Sequence, residues 1–79
     1  MVNKYKVKIR TYSETNTAIF IICLIRCSNV IIKKIKASIS FIDTIKFVFE
    51  GTEQQLRDFI NECAVQCQFA VEKINKKLF

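Results

Sequence analysis

The sequence contains no proline, no tryptophan and no histidine, and it has only one glycine among its 79 residues. Without histidine, the chain lacks the side chain that most often acts as a general base near neutral pH and that most often ligates metals. A single glycine excludes the glycine-rich loops that cradle phosphates. Acidic residues are also scarce, since Asp and Glu together number seven. We therefore expect a binding, regulatory or assembly module that is not an enzyme and has no cofactor.

Basic residues outnumber acidic ones by thirteen to seven, which gives a formal net charge of +6. Because Ile and Lys are the commonest residues, an AT-rich genome would produce the same excess of basic residues, and the charge alone identifies no partner. The longest apolar run, residues 18–25, is far shorter than the roughly 20 residues that a membrane-spanning helix needs. The chain also opens without an apolar leader. We expect a cytoplasmic protein with reduced cysteines, no secretory signal and no membrane contact.

Strict alternation of apolar and basic residues over positions 4–11 predicts a β-strand with one dry and one wet face. Residues 30–42 predict a second strand, and residues 45–50 alternate again after a short turn, which predicts a hairpin. Residues 68–74 predict a last strand, followed by a frayed tail over 75–79. The side chains predicted to face inward are Tyr5, Val7, Ile9, Ile35, Ala37, Ile39, Phe41, Phe69 and Val71.

Two segments have the features of helices. Residues 17–27 follow a polar stretch suited to a turn and a cap, and their length favours a helix although isoleucine is frequent there. Residues 51–55 begin a second helix, because Thr52 can cap it and Gln55 stands three residues later, as in a capping box. The first helix has two apolar stripes, one of Ala18, Ile21, Ile22 and Ile25, the other of Phe20, Leu24 and Cys27.

The predicted order is strand, helix, strand, strand, helix, strand over residues 1–79. Two strand–helix–strand halves of this kind give a single ferredoxin-like α+β sandwich. In that βαββαβ fold, a four-stranded antiparallel sheet carries both helices on one face, and its first and third strands are central neighbours.

The first half of the chain resembles the ACT domain, with most similarity to the small regulatory subunit of acetolactate synthase. The resemblance covers residues 12–18, 24–25 and 28–32 and needs no gap from Ser13 to Ala37. Asn16 and Asn29 stand where the family has glycines, and asparagine is the other residue that best tolerates a positive φ. The resemblance implies a regulatory homodimer that binds an amino acid, or a catalytic partner subunit, at its interface.

The resemblance also implies where an amino-acid ligand would bind. Free backbone amides at a helix N-terminus can hold a carboxylate, and Glu14 could hold the ammonium group. A plain turn and helix cap is the alternative interpretation of the same loop. The ligand-binding residues implied by the resemblance are Ser13, Glu14, Thr15, Asn16, Thr17, Asn29, Val30 and Ile31.

The outward positions of the predicted strands carry a concentration of basic side chains. Such a face could follow phosphates, which makes nucleic-acid binding the alternative function. Base stacking lacks a platform, because every strand aromatic falls on the inward side. A solvated face, or one that meets an acidic partner, explains the same pattern, and an assembly adaptor without a small ligand is a third function. The basic residues are Lys4, Lys6, Lys8, Arg10, Lys34, Lys36 and Lys46.

The four cysteines form two Cys-x-x-x-Cys pairs, at Cys23 and Cys27 and at Cys63 and Cys67. This spacing is compatible with a zinc site, but buried reduced cysteine is much more common, and we expect no metal. Glu50 and Glu72 fall among lysines, so we interpret them as charge partners and not as an acid–base pair.

Overall fold

The computed structural model describes residues 2–36 and 43–77. Within them the elements follow in the order βαββαβ, as the sequence predicts, and form a ferredoxin-like α+β fold. The elements are β1 (Asn3–Thr11), α1 (Glu14–Arg26), β2 (Val30–Lys36), β3 (Asp43–Gly51), α2 (Glu53–Gln66) and β4 (Phe69–Lys77).

The four strands form one antiparallel sheet in the order β2-β3-β1-β4, so β1 and β3 are the central pair, as predicted. Two irregularities interrupt the ladders, one between β1 and β4 next to Lys8 and one between β2 and β3 between Ile32 and Lys34. A bulge of this kind adds one residue to a strand and changes the side of the sheet on which later residues lie.

The core lies between the sheet and the two helices. The ring of Phe20 on α1 packs on Phe47 with centroids 6.0 Å apart, and Phe59 on α2 stacks on Phe49 at 5.6 Å. Both helices therefore cover the same side of the sheet. The inward residues predicted for β1 are confirmed, because Tyr5, Val7 and Ile9 are all buried in this core.

The first helix begins earlier than predicted. Ser13 is its N-cap, and the Ser13 hydroxyl accepts a hydrogen bond from the Asn16 amide at 3.1 Å. Residues 14–16 therefore form the first helical turn, whereas the sequence placed them in a loop. The start of α2 is as predicted, because Thr52 and Gln55 form a reciprocal capping box.

The two apolar stripes of α1 differ in burial. Phe20 and Leu24 are fully buried, and Cys27 packs against the core. Ile22 and Ile25 on the other stripe remain 48% and 70% exposed. We call Ala18, Ile22 and Ile25 the exposed α1 stripe, an apolar surface that residues 2–36 and 43–77 leave open.

Two residues predicted to face inward at the edges of the sheet lie on the predicted side but are incompletely buried. Ile35 pairs with Ile45 and Val71 with Ile9, which places both on the helix side, yet they are 43% and 39% exposed. Both residues belong to edge strands, which the helices cover less completely than they cover β1 and β3. Ala37, Ile39 and Phe41 lie outside the described residues. The predicted frayed tail is wrong for residues 75–77, which belong to β4.

In residues 2–36 and 43–77, neither helix has the length and apolar character needed to cross a membrane.

Candidate functional site

The side of the sheet that faces away from the helices is called the open face here. Directly paired residues of antiparallel strands project to the same side, so the registers assign its members. Lys34 pairs with Lys46, Lys46 with Lys8, and Lys8 with Lys73. One lysine from each of the four strands therefore lies in a single line across the sheet, and we call these four residues the lysine row.

The lysine row is electrostatically unfavourable in isolation. Neighbouring strands lie about 4.7–4.9 Å apart, and like charges directly opposite each other destabilise a sheet. The ammonium groups can spread into solvent on their flexible stems, but four positive charges still share one narrow band. An anion bound over the row would remove this repulsion, so the band is a place where negative charge is attracted.

Acidic groups neutralise only part of the open face. Glu72, in the bulge of β4, makes ion pairs with Lys8 at 3.2 Å and with Arg10 at 2.5 Å. Glu50 pairs with Lys4 at 3.3 Å. Among residues 2–36 and 43–77, Lys34 and Lys46 form no ion pair within 4.0 Å. Lys73, the fourth member of the lysine row, forms none in the same part of the chain, so unneutralised positive charge lies on β2, β3 and β4.

Two adjacent hollows occupy the open face. The larger has a volume of about 500 Å³ and includes Lys6, Lys33 and Lys73 in its lining. The smaller, of about 190 Å³, includes Lys34 and Lys36. Lys8 and Lys46 line both hollows and separate them. The face thus offers two neighbouring concave sites under a shared pair of ammonium groups.

An apolar residue lies in the middle of this basic surface. Val48 occupies an outward position on β3, opposite Lys6 and Ile31, yet it is only 5% exposed. Val48 therefore lies beneath the lysines that line the larger hollow, and little of its own side chain is exposed there. The aromatic residues of the described strands, Tyr5, Phe47, Phe49 and Phe69, belong to the helix side, as predicted.

The structure places all seven predicted basic residues on the open face and adds two that the sequence analysis missed. Lys73 shares the odd numbering of Phe69 and Val71, which predicts an inward position, but the bulge at Glu72 returns it to the face. Lys33 lies at the irregularity in β2 and lines the larger hollow. No simple alternation in the sequence marks either bulge.

The predicted ligand loop is engaged in contacts within the chain. The Asn16 side-chain oxygen accepts a hydrogen bond from the Gln68 amide at 3.0 Å. Thr17 is buried, where its hydroxyl donates to the Ser13 carbonyl at 2.9 Å and contacts the Thr11 hydroxyl. Glu14 and Thr15 remain exposed on the first turn of α1. The loop therefore serves as a helix cap and as a tie to the start of β4.

The other predicted ligand residues lie at the opposite end of the sheet. Asn29 accepts a hydrogen bond from the Glu50 amide at 2.8 Å, and Val30 pairs with Phe49. Helix α1 separates this end from Ser13, and its 13 residues span about 20 Å. One copy of the chain therefore does not bring residues 13–17 and 29–31 together, and Ile31 lies on the open face instead.

Three of the four cysteines lie together between the two helices. Cys23, Cys27 and Cys63 line a hollow of about 420 Å³. Burial, together with the neighbouring Cys23 thiol, raises the pKa of Cys63 well above its usual range, and burial also raises the pKa of Cys67. These thiols stay protonated at neutral pH. Within the described ranges no three His, Cys, Asp or Glu side chains are grouped to hold a metal ion.

Comparisons with known protein-family models, with curated proteins and with solved structures find no match to this chain. The resemblance to ACT domains therefore rests on the sequence of this chain alone.

Proposed function

We propose that this protein binds nucleic acid through the phosphate groups of the strand, using the open face of its sheet. The lysine row is the single observation that carries the proposal, because it aligns one cation from every strand at a place where they repel one another. A polyanion with regularly spaced charges can relieve this repulsion along the whole lysine row.

Binding of this kind is driven by charge. Each phosphate that a lysine neutralises releases counterions, so affinity falls as salt concentration rises. Lysine ammonium groups act as point charges on flexible stems and suit phosphates in varied positions. Because the described open-face residues include no aromatic side chain, successive bases have no stacking platform. We therefore expect affinity to depend on charge far more than on base sequence.

The test is fluorescence anisotropy with a labelled oligonucleotide over a range of salt concentrations. The double variant Lys6→Glu, Lys8→Glu reverses two charges on the open face and is expected to abolish measurable binding. The double variant Arg26→Glu, Lys76→Glu is the matched control, since Arg26 ends α1 and Lys76 pairs with Tyr5 on the helix side of the same sheet. Circular dichroism shows whether each variant is folded. Affinity that survives the double reversal of Lys6 and Lys8 in a folded protein removes the proposal.

A regulatory module similar to ACT domains is the second candidate function. The exposed α1 stripe favours it, since a second copy of the chain would cover the apolar surface of Ile22 and Ile25. A homodimer would also supply the partner loop that one copy lacks for an amino-acid site. Light scattering tests the dimer, with Ile22→Glu expected to dissociate it, and a thermal shift with branched-chain amino acids tests the ligand.

The same measurements distinguish an assembly adaptor, the remaining alternative, from a nucleic-acid-binding protein and from a regulatory module. A stable oligomer that responds neither to amino acids nor to nucleic acid supports the adaptor. A monomer whose melting temperature does not change with any of the common amino acids at millimolar concentration counts against the regulatory module.

A further inference from the structure

We infer that the ligand is single-stranded nucleic acid, with one unstacked base in the larger hollow and the adjoining phosphates over the lysine row and the smaller hollow. This inference rests on the proposed function and specifies the form of nucleic acid that is bound. It follows from three features of the open face: the unequal sizes of the two hollows, the apolar surface within the larger one and the amide side chain beside it.

The sizes of the hollows match the parts of a nucleotide. Binding sites for small organic molecules typically span about 300–1,000 Å³, and the larger hollow, at about 500 Å³, falls in this range. The smaller hollow, at about 190 Å³, has room for a compact group and is lined by Lys34, Lys36 and Thr44. Two ammonium groups and a hydroxyl can all donate hydrogen bonds to the oxygens of a phosphate.

The chemistry of the larger hollow suits a base better than a second phosphate. A site for phosphate alone needs no apolar contacts. In the larger hollow, Val48 is itself 5% exposed, and the aliphatic stems of the lysines around it provide the apolar surface on which the face of a base can lie. Asn75 on β4 pairs with Lys6 across the sheet and lines the same hollow. Its amide both donates and accepts hydrogen bonds, which matches the edge of a base and not the acceptor-only oxygens of a phosphate.

The shared lysines connect the two hollows. Lys8 and Lys46 line both, so a phosphate between them stays within reach of either ammonium group. A nucleic-acid strand that crosses β1 and β3 at this point would place its base on one side of the lysine row and its next phosphate on the other. Paired and stacked bases of a duplex cannot enter a hollow in this way, whereas an unstacked base of a single strand can.

Electrostatic attraction alone would favour duplex over single-stranded DNA, so comparing the two forms tests whether a base contributes to binding. Duplex DNA carries the higher charge density, and its binding depends more steeply on salt than that of single strands. A basic face with no base site should therefore bind duplex at least as tightly. We expect a single-stranded DNA of mixed sequence to bind at least about tenfold more tightly than a duplex of the same length and salt concentration, because only the single strand gains the base contacts.

The variant Asn75→Ala separates the base contact from the charge contacts. We expect it to weaken single-strand binding by about fivefold, with an unchanged salt slope, because it removes a hydrogen bond and no charge. Lys46→Gln is expected to reduce the salt slope by about one. Asn61, an exposed residue of α2, provides the matched control: Asn61→Ala should change neither the single-strand affinity nor the salt slope.

Two results overturn the inference while the proposed function stands: duplex binding that equals or exceeds single-strand binding, or an Asn75→Ala variant that binds the single strand like the native protein. If the protein binds neither single-stranded nor duplex DNA, the proposed function is wrong, and so is this inference.

Discussion

Lys8 and Lys46 lie directly opposite each other on the two central strands, and each also pairs with a further lysine on its outer side. A folded protein gains no stability from this arrangement, since the charges repel one another. The same alignment gives a polyanion several cations at one place. The lysine row thus decreases the stability of the isolated chain and increases its attraction for negative charge.

The first prediction concerns the stability of the free protein. Replacing Lys46 by Gln should raise the free energy of unfolding by roughly 0.2–1 kcal/mol at low salt, because one of four aligned charges is removed. The gain should shrink near 1 M salt, where the Debye length falls to about 3 Å. Urea unfolding at both salt concentrations measures it. Lys76→Gln is the control, and a Lys46 variant that is less stable than the native protein would contradict repulsion in the row.

The second prediction concerns the acidic residue on the open face. Glu72 contacts both Lys8 and Arg10, so Glu72→Gln should free two cations and strengthen nucleic-acid binding, with a steeper salt dependence. The free energy of unfolding should change by less than about 1 kcal/mol per lost ion pair, because these side chains are partly exposed. Anisotropy titrations measure the affinity.

Glu53→Gln is the control for the Glu72 variant, since Glu53 pairs with Arg57 on α2, away from the face. If Glu72→Gln binds nucleic acid no more tightly than Glu53→Gln, the freed Lys8 and Arg10 side chains do not contribute to binding.

The third prediction concerns the junction of β3 and α2. A Cβ atom at Gly51 would lie 2.5 Å from the Gln55 side-chain oxygen, the atom that accepts the Thr52 amide in the capping box. Gly51→Ala should therefore disrupt the cap and destabilise the protein by about 1 kcal/mol. Thermal unfolding measures the loss, with Thr52→Ala as a comparison of similar size. An unchanged melting temperature would mean that Gln55 moves away without loss, and nucleic-acid binding should be unaffected in either variant.

The fourth prediction concerns stability at alkaline pH. Burial and the Cys23 thiol raise the pKa of Cys63 in the folded protein above its ordinary value of 9.0. Above that ordinary pKa the unfolded chain loses the Cys63 proton while the folded chain keeps it, so the folded state becomes less stable as pH rises. Below pH 9 this contribution is fully present. Urea unfolding between pH 8 and pH 10.5 measures the decline.

The variant Cys63→Val isolates the effect of this thiol, because it removes the titrating group and retains a small apolar side chain. Its stability should fall less steeply with pH than that of the native protein. Equal slopes would show that Cys63 does not stay protonated in the folded state.

The central strands could be predicted from the sequence because their alternation is strict and both faces differ sharply in polarity. Tyr5, Val7 and Ile9 alternate with lysines, and only one register buries all three. The capping box at Thr52 and Gln55 is equally local, since its two hydrogen bonds depend on residues three apart. Features of this kind need no knowledge of the rest of the fold.

The features that the sequence did not reveal depend on long-range packing. The bulge at Glu72 moves Lys73 onto the open face, and nothing in the residues around it marks the extra position. Val71 has an inward register but is exposed, because coverage at a sheet edge depends on where the helices lie. The start of α1 is a local exception: Ser13, Thr15 and Asn16 can all cap a helix, and the sequence alone does not indicate that Ser13 is the residue that does so.

The most direct test of binding at the open face is a two-dimensional NMR titration of the labelled protein with an unlabelled single-stranded oligonucleotide. We expect the largest amide shift changes at Lys6, Lys8, Lys46 and Val48, which surround the two hollows, and little change at Ile22 and Ile25 on α1. Shift changes concentrated on the helices, or none at any oligonucleotide concentration in low salt, would contradict the proposed binding face.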